Sequence, residues 1–329
     1  MTRLALLALL VPQLAIADEP KPKAPKPAPA PAPAPKDAPK GSLVERARLE
    51  IQPAGRPFKQ ISIENPLGDV RVEGYDGSAI QIETRKVGPN EEAIDRLRVS
   101  LVPNPDGTVR MKTTADGGPE HTPLARSAVR IDLIVRAPRE ARIEAVSSNG
   151  TLEVVNMDAG GDLDTGSGKI TVRNVAGELS THSVSGQTSL TQVFGSVDAQ
   201  IISNDLALDS VGGERLIASV DRGKIEGRRV RSRNIELSTM EGKIVFEGEA
   251  SLRGRFVISS LKGDIDVKLR RNGVMIVRGR GTKVNLGSMA KARPDGWVEA
   301  QHGQLANQSP ATVELQSRHG TVDFSLVEW

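Results

Sequence analysis

The sequence predicts an all-β fold: a single-stranded, right-handed parallel β-helix (a β-solenoid) of about 18–21 residues per rung, preceded by a less regular β-rich part. Three observations predict it. A short phrase recurs at fixed spacing: Gly150-Thr-Leu152-Glu-Val154, Gly168-Lys-Ile170-Thr-Val172, Gly186-Gln-Thr188-Ser-Leu190 and Asn204-Asp-Leu206-Ala-Leu208, each 18 residues after the last. It continues at slightly longer steps through Gly223-Lys-Ile225, Gly242-Lys-Ile244-Val-Phe246 and Gly263-Asp-Ile265-Asp-Val267. Inside the phrase, apolar and polar residues alternate, the period of a half-buried strand. Turn-forming residues fall in the same register, so each repeat carries its own corners.

Within one rung the phrase is the first strand. Met157, Val175, Val193 and Val211, again 18 apart, mark a second, and Leu179-Ser-Thr181, Val197-Asp-Ala199-Gln-Ile201 and Leu216-Ile-Ala218-Ser-Val220 a third. The expectation is three short strands per rung, each parallel to its equivalent in the next. Gly150, Gly168, Gly186 and Asn204 form one corner column, where glycine and asparagine tolerate positive φ best. Ala159, Gly177, Gly195 and Gly213 form a second. Asn156, Asn174, Gln192 and Ser210 form a third, placed to hydrogen-bond from rung to rung. A narrow core of this kind is filled by Val, Leu and Ile, and large rings are expected to overpack it. Right-handedness follows from the usual crossover rule. The two ends of the stack expose strand edges and need caps.

Taken along the chain, residues 1–17 read as an export signal: Arg3, then an apolar stretch from Leu4 to Ile16, then Ala15-Ile16-Ala17 before Asp18. Residues 18–40 are nearly all Pro, Ala and Lys, the composition of an extended polyproline spacer. Residues 41–136 form the irregular β-rich part and cap. It contains the rung-like Ile61-Ser-Ile63 and Asn65-Pro-Leu-Gly68-Asp-Val70-Arg-Val72. A short helix is expected from Asn90 to Leu97, a hairpin turn at Asn104-Pro-Asp-Gly107, and an exposed loop over 116–123. Residues 137–329 form the solenoid, with looser spacing after Arg280 and a last clear phrase at His319-Gly320-Thr-Val322-Asp-Phe324.

Composition excludes several classes. The chain has 44 basic and 41 acidic residues; setting aside the six basic and three acidic residues of the first 40 leaves 38 of each. A body of zero net charge has no global field to steer it onto nucleic acid. With no cysteine there is no disulfide, thiol nucleophile, cysteine metal site or lipid-attachment cysteine. Aromatics at 2% argue against sugar recognition by ring stacking and against the aromatic girdles of a membrane barrel. No segment after the signal is apolar enough to span a bilayer.

The succession Val129-Arg-Ile-Asp-Leu-Ile-Val-Arg-Ala-Pro138, Ala141-Arg-Ile143 and Ser147-Ser-Asn-Gly150-Thr-Leu-Glu-Val154, followed by the G-x-I-x-V phrases, resembles the bacterial DUF4097 family. The likeness covers roughly residues 58–327. That family is labelled adhesin-like by shape and is related to proposed adhesin head domains. The resemblance implies a single-stranded β-helix in an exported or envelope-associated protein, and it brings no catalytic residues.

The residues themselves offer few candidate sites. Asp162 with Asp164, Asp205 with Asp209, and Asp264 with Asp266 are the pairs a β-helix polysaccharide lyase or hydrolase would use, set against solvated strand exteriors. His121, His182, His302 and His319 show no metal-ligand spacing. No phosphate loop or nucleophile elbow is present. A basic cluster stands out: Lys224, Arg228, Arg229, Arg231 and Arg233 in one rung, then Lys268, Arg270, Arg271, Arg278, Arg280 and Lys283 about two rungs later. Stacked on one face it would take an anionic glycan or acidic partner; Glu226, Glu236, Glu241 and Glu247 are placed to neutralise it. The expectation is a non-enzymatic, exported binding or scaffolding protein of the cell envelope, in the periplasm or at the cell surface. It would need no cofactor or metal and would meet an envelope or matrix glycan or protein. The alternatives are a glycan-active β-helix enzyme and an envelope-stress regulator.

Overall fold

The computed structural model describes residues 42–115, 129–304 and 309–327. The expected signal, the spacer and the whole 116–123 loop with His121 lie outside the described residues. The described chain is all-β apart from one short helix, and its strands join in one long, mostly parallel sheet.

The repeat is visible directly in the pairing. Ile170 lies opposite Leu152 on one side and Thr188 on the other, and Val172 lies between Val154 and Leu190. Thr188, Leu206, Ile225, Ile244 and Ile265 continue the column in parallel register. Neighbouring phrases are therefore stacked one strand spacing apart, roughly 4.8 Å. Each strand of this column from Ile170 to Ile265 has a partner on both sides, which satisfies its backbone groups without helices.

The division into three strands per rung is corrected. Ile170–Ser183, Thr188–Ser203, Leu206–Arg222 and Ile225–Glu241 are single strands of 14 to 17 residues. Each bends without breaking, because Asn156, Asn174, Gln192, Ser210 and Arg229 take left-handed φ values of 52–61°. A second bend follows at Gly177, Gly195 and Gly213, with φ of 98°, 144° and 135°. The ladder resumes immediately on either side of both bends. In the first rung the second bend falls at Gly160 (φ 67°), one residue after the expected Ala159.

The first corner column has a different cause from the expected one. Gly150, Gly168 and Gly186 are absent from the positive-φ residues. They are glycine because the preceding rung leaves no room. A Cβ on Gly168 would lie 1.7 Å from the Gly150 carbonyl oxygen, one on Gly186 1.6 Å from that of Gly168, and one on Gly150 1.8 Å from that of Gly68. Of the four, only Asn204, at φ 115°, has a positive φ. A buried hydroxyl three residues earlier closes four of the corners. Gly150, Gly168, Gly186 and Gly320 donate their N–H to the side-chain oxygens of Ser147, Thr165, Ser183 and Ser317 at 2.8–3.0 Å. The signature is [Ser/Thr]-x-x-Gly; it recurs at Thr239–Gly242 and Ser260–Gly263, where the hydroxyls donate to the Gly223 and Gly242 carbonyls of the preceding rung.

Residues 142–271 stack in chain order, but both ends of the stack do not. Gln60–Glu64 lies between Thr108–Ala115 and Arg142–Ser147, and Val70–Tyr75 between Arg130–Pro138 and Leu152–Met157, all in parallel. Strands of residues 60–75 thus share one sheet with those after 142. Buried Asn65 ties the out-of-order segments together: its Nδ2 donates to the Ile131 carbonyl (2.8 Å) and its Oδ1 accepts from Thr113 Oγ1 (2.5 Å). At the other end, Ala311–Ser317 sits between Arg255–Lys262 and Met275–Arg280, and Thr321–Leu326 between Ile265–Arg271 and Lys283–Asn285. The final phrase is therefore inserted within the stack, beneath an earlier segment of chain.

Antiparallel strands flank the parallel core. Leu43–Ile51 pairs with Ile80–Gly88, which pairs with Arg130–Pro138; Leu97–Pro103 pairs with Thr108–Ala115 across the expected turn. The helix is Glu91–Asp95, capped by Asn90, whose Oδ1 accepts from Ala93 N at 2.8 Å. It is shorter than expected, because Leu97 already begins the next strand.

Alternate residues of both arms of every rung enter one hydrophobic cluster, and Leu152, Ile170 and Leu206 have no solvent exposure. The expectation that rings overpack this core is corrected by Phe246 and Phe256, both wholly buried. Glycine makes the space. A Cβ on Gly227 would stand 2.8 Å from the Phe246 ring, and one on Gly254 2.9 Å from that of Phe256. Phe246 thus faces Gly227 in the adjoining rung, a large side chain over a small one.

Gly168→Ala is expected to cost about 3 kcal/mol or more, since a backbone atom cannot yield as a side chain can. Gly296→Ala, with no atom within 4 Å of the new Cβ and φ of 81°, should cost only about 1 kcal/mol of left-handed strain. Urea denaturation of the two variants checks the order; equal stability would contradict the close-contact reading.

Candidate binding surface

Outward positions alternate with the buried ones, so chemistry on this body is arranged in columns running from rung to rung. The six aspartates that an enzyme would use occupy such positions, and each is engaged. Asp162 meets Arg142 at 3.0 Å, Asp164 meets His182 Nδ1 at 3.4 Å, Asp209 meets Arg229 at 2.5 Å, and Asp266 meets Lys243 at 3.8 Å. Asp205 accepts from the backbone N–H of Lys224, and Asp264 from the N–H and hydroxyl of Thr321, at 2.8–2.9 Å.

Asp205 and Asp264 belong to a device not anticipated from the sequence. Each directly follows a corner residue, and each accepts from the backbone of an adjoining rung. Asp69 does the same, its Oδ1 accepting from Thr151 N at 2.8 Å. The signal was present as Gly68-Asp69, Asn204-Asp205 and Gly263-Asp264. The Thr321 bonds hold the Asp264 carboxyl below its usual range, with a smaller contribution from Lys243. This is the environment of a fixed structural anion rather than of a general acid, whose carboxyl would be raised.

The expected basic cluster is divided among carboxylates. Lys224 and Arg228 both hold Glu226, the former at 2.6 Å, and together they lower its carboxyl below the ordinary value. Arg229 holds Asp209, Arg231 reaches Glu249 at 3.4 Å, and Arg233 reaches Glu214 at 3.5 Å. Lys268 stands opposite Glu247 and Arg270 opposite Glu249 in the ladder, without direct pairs among the described residues, while Arg271 lies beside Gly303. Of the expected neutralising residues, Glu226 performs that part; Glu241 instead holds Lys262 at 2.8 Å. Exposed pairs of this kind contribute about 0–1 kcal/mol each, so their effect is to cancel the local field rather than to hold the fold.

Two tighter charge groups lie near the first rungs. Arg71 and Arg173 grip the buried Glu153 from either side, at 2.6 and 3.1 Å. Arg130 bridges Asp69 (2.6 Å) and Asp132 (2.5 Å), and Asp132 also meets Arg85 at 3.4 Å. These clamp the out-of-order strands.

The turn ladder is selective. Asn174 Nδ2 donates to Asn156 Oδ1 at 2.7 Å across one rung, and Arg229 Nε donates to Ser210 Oγ at 3.0 Å across another. His302, beside the Phe324 ring at 5.7 Å, has its pKa depressed by burial and by Arg271. Among the described residues, no three His, Asp or Glu side chains converge as metal ligands, and no helix is long and apolar enough to cross a membrane.

No family model matches the chain, and no curated protein matches it. Solved structures do resemble it. A proposed lipid-binding protein from Parabacteroides distasonis is 12% identical, with a TM-score of 0.43, over 87% of this chain and 97% of that one. A proposed adhesin from Bacteroides fragilis is 13% identical, with a TM-score of 0.32, over 85% and 97%. A proposed cell adhesion protein from Clostridium sporogenes is 9% identical, with a TM-score of 0.27, over 87% and 100%. None of these likenesses assigns a ligand to this chain.

Asp264→Ala tests the structural assignment. The folded carboxyl lies below its unfolded value, so its contribution is complete above the unfolded pKa near 3.8 and is lost as pH falls through the folded one. At pH 7 the variant should be destabilised by about 1 kcal/mol. Thermal melts should show that gap closing as pH falls below the unfolded value near 3.8, whereas a gap that widens in acid would refute the assignment.

Proposed function

We propose that the chain is an exported, non-enzymatic binding or scaffolding protein of the bacterial cell envelope, acting through the outward faces of a right-handed, single-stranded β-helix of the DUF4097 kind. One observation carries this. The inward positions are consumed by aliphatic packing, and the carboxylates an enzyme would need are committed to backbone or cationic partners, which leaves repeated exposed columns as the working surface. Such a surface offers the same kind of contact at every rung. A polymer lying across it gains affinity by adding contacts, so avidity takes the place of a pocket. In this reading residues 1–17 direct export and residues 18–40 hold the body away from its anchoring layer, in the periplasm or outside the cell. A polysaccharide or an extended protein of the envelope or matrix is the fitting partner.

Incubation with a panel of envelope and matrix polysaccharides tests this against the rival lyase or hydrolase. Long polymers should be retained at least about tenfold more tightly than short oligomers of the same sugar, with no new reducing ends or unsaturated products. Product formation abolished by Asp264→Asn or Asp266→Asn would establish the enzyme instead.

A further inference from the structure

Three adjacent rungs carry an outward groove of about 280 Å³ lined by Arg215, Ile217, Asn234, Glu236, Arg255 and Val257. In the parallel ladder Arg215 stands opposite Asn234, and Asn234 opposite Arg255. Two residues along, Ile217, Glu236 and Val257 form the next column, and Ser219, Ser238 and Ser259 the one after. Arg228, Arg229, Arg231 and Arg233 nearby each hold a carboxylate. Arg215 and Arg255 are exposed and hold none among the described residues.

We propose that this groove binds an extended acidic polysaccharide in which a uronate alternates with an uncharged sugar, its chain running across the strands. The backbone positions that carry the two free arginines are two rungs apart, about 9.6 Å. A sugar in an extended chain advances by close to one rung, so alternate sugars meet alternate rungs. Guanidinium groups pair with carboxylates through two parallel hydrogen bonds. At the groove the middle rung places Asn234 and Glu236, and the arginines of that strand each hold a carboxylate. Asn234 directs its Nδ2 to the Glu214 backbone oxygen (3.3 Å) and side-chain oxygen (3.4 Å), leaving its own carbonyl oxygen to accept from a sugar hydroxyl. Glu236 likewise accepts from hydroxyls and repels a carboxylate. Ile217 and Val257 present apolar surface to ring C–H groups, and the serine column adds neutral hydroxyl partners. A polymer charged on every sugar would place an anion against Glu236 and is disfavoured.

This deepens the binding role proposed above and rests on it. Unsulfated chondroitin oligosaccharides, in which glucuronate alternates with an N-acetylhexosamine, are the probe; polygalacturonate, charged at every sugar, is the comparison. The full chain should bind chondroitin with an affinity that falls as ionic strength rises from about 0.01 to about 0.15 M. Polygalacturonate should bind at least about tenfold more weakly. Arg215→Gln with Arg255→Gln should lose at least about tenfold in affinity for chondroitin, while Arg228→Gln with Arg231→Gln changes it less than about twofold. Glu236→Lys, which supplies a middle cation at an exposed position, should raise polygalacturonate affinity at least about tenfold. Absence of chondroitin binding, indifference to the Arg215 and Arg255 substitutions, or equal binding of the two polymers would each overturn the proposal. If another envelope polymer is then retained, the groove assignment fails while the binding role stands; if none is, both fail.

Discussion

Backbone contact between successive rungs at the first corner governs much else in this molecule. Gly168 lies against the carbonyl of Gly150, and Gly186 against that of Gly168, at a separation no side chain could share. The contact fixes the height of the rung and the phase of both arms. Once these are set, Ile170 must lie over Leu152 and Val172 over Val154, and the aliphatic columns follow. The hydroxyls of Ser147, Thr165 and Ser183 complete the corner by accepting the glycine N–H groups, so a buried polar backbone is satisfied where the chain turns. At Asn204, Gly223 and Gly242, with φ of 115°, 153° and 156°, the corner N–H instead donates to the backbone carbonyl of Arg222, Glu241 and Lys262 in the next rung.

The same constraint explains the ends. A stack of identical rungs has two open edges that invite further strands. Here the chain returns to both ends, placing Gln60–Glu64 and Val70–Tyr75 beneath a later segment and Ala311–Ser317 and Thr321–Leu326 beneath an earlier one. Contacts of this kind join residues far apart in sequence. Gly150 touches Gly68, and Ser317 Oγ donates to the Gly263 carbonyl at 2.8 Å. Closing such loops costs entropy before any contact repays it, which favours slow folding of the ends relative to residues 142–271.

The period was legible from sequence because it is local: each phrase carries its own alternation and its own corner. Who pairs with whom at the ends was not, because nothing in His319-Gly320-Thr-Val322 distinguishes a terminal rung from an inserted one. The glycine column is visible in the sequence but its cause is not, since close approach and positive φ select the same residue. Asn174 and Gln192 were seen as ladder residues, while their left-handed backbone marks the bend itself. The Ser/Thr-x-x-Gly signature and the aspartates after the corner were equally visible and carried a meaning that only the pairing supplies. On the surface, the composition indicated a cluster of cations. The pairing shows that Arg228 to Arg233 are already matched, and that Arg215 and Arg255, inconspicuous in sequence, are not.

Removal of one whole repeat tests the stacking most directly. Deleting residues 170–187 brings Thr188 into the place of Ile170 over Leu152 and leaves every later column in register. Deleting residues 170–178, half as many, puts one arm where the other belongs. Monitored by circular dichroism during thermal unfolding, the longer deletion should retain β-structure and a cooperative transition, and the shorter should abolish both. Equal disruption by the two, or better survival of the shorter, would mean that an 18-residue rung is not the unit on which this fold is built.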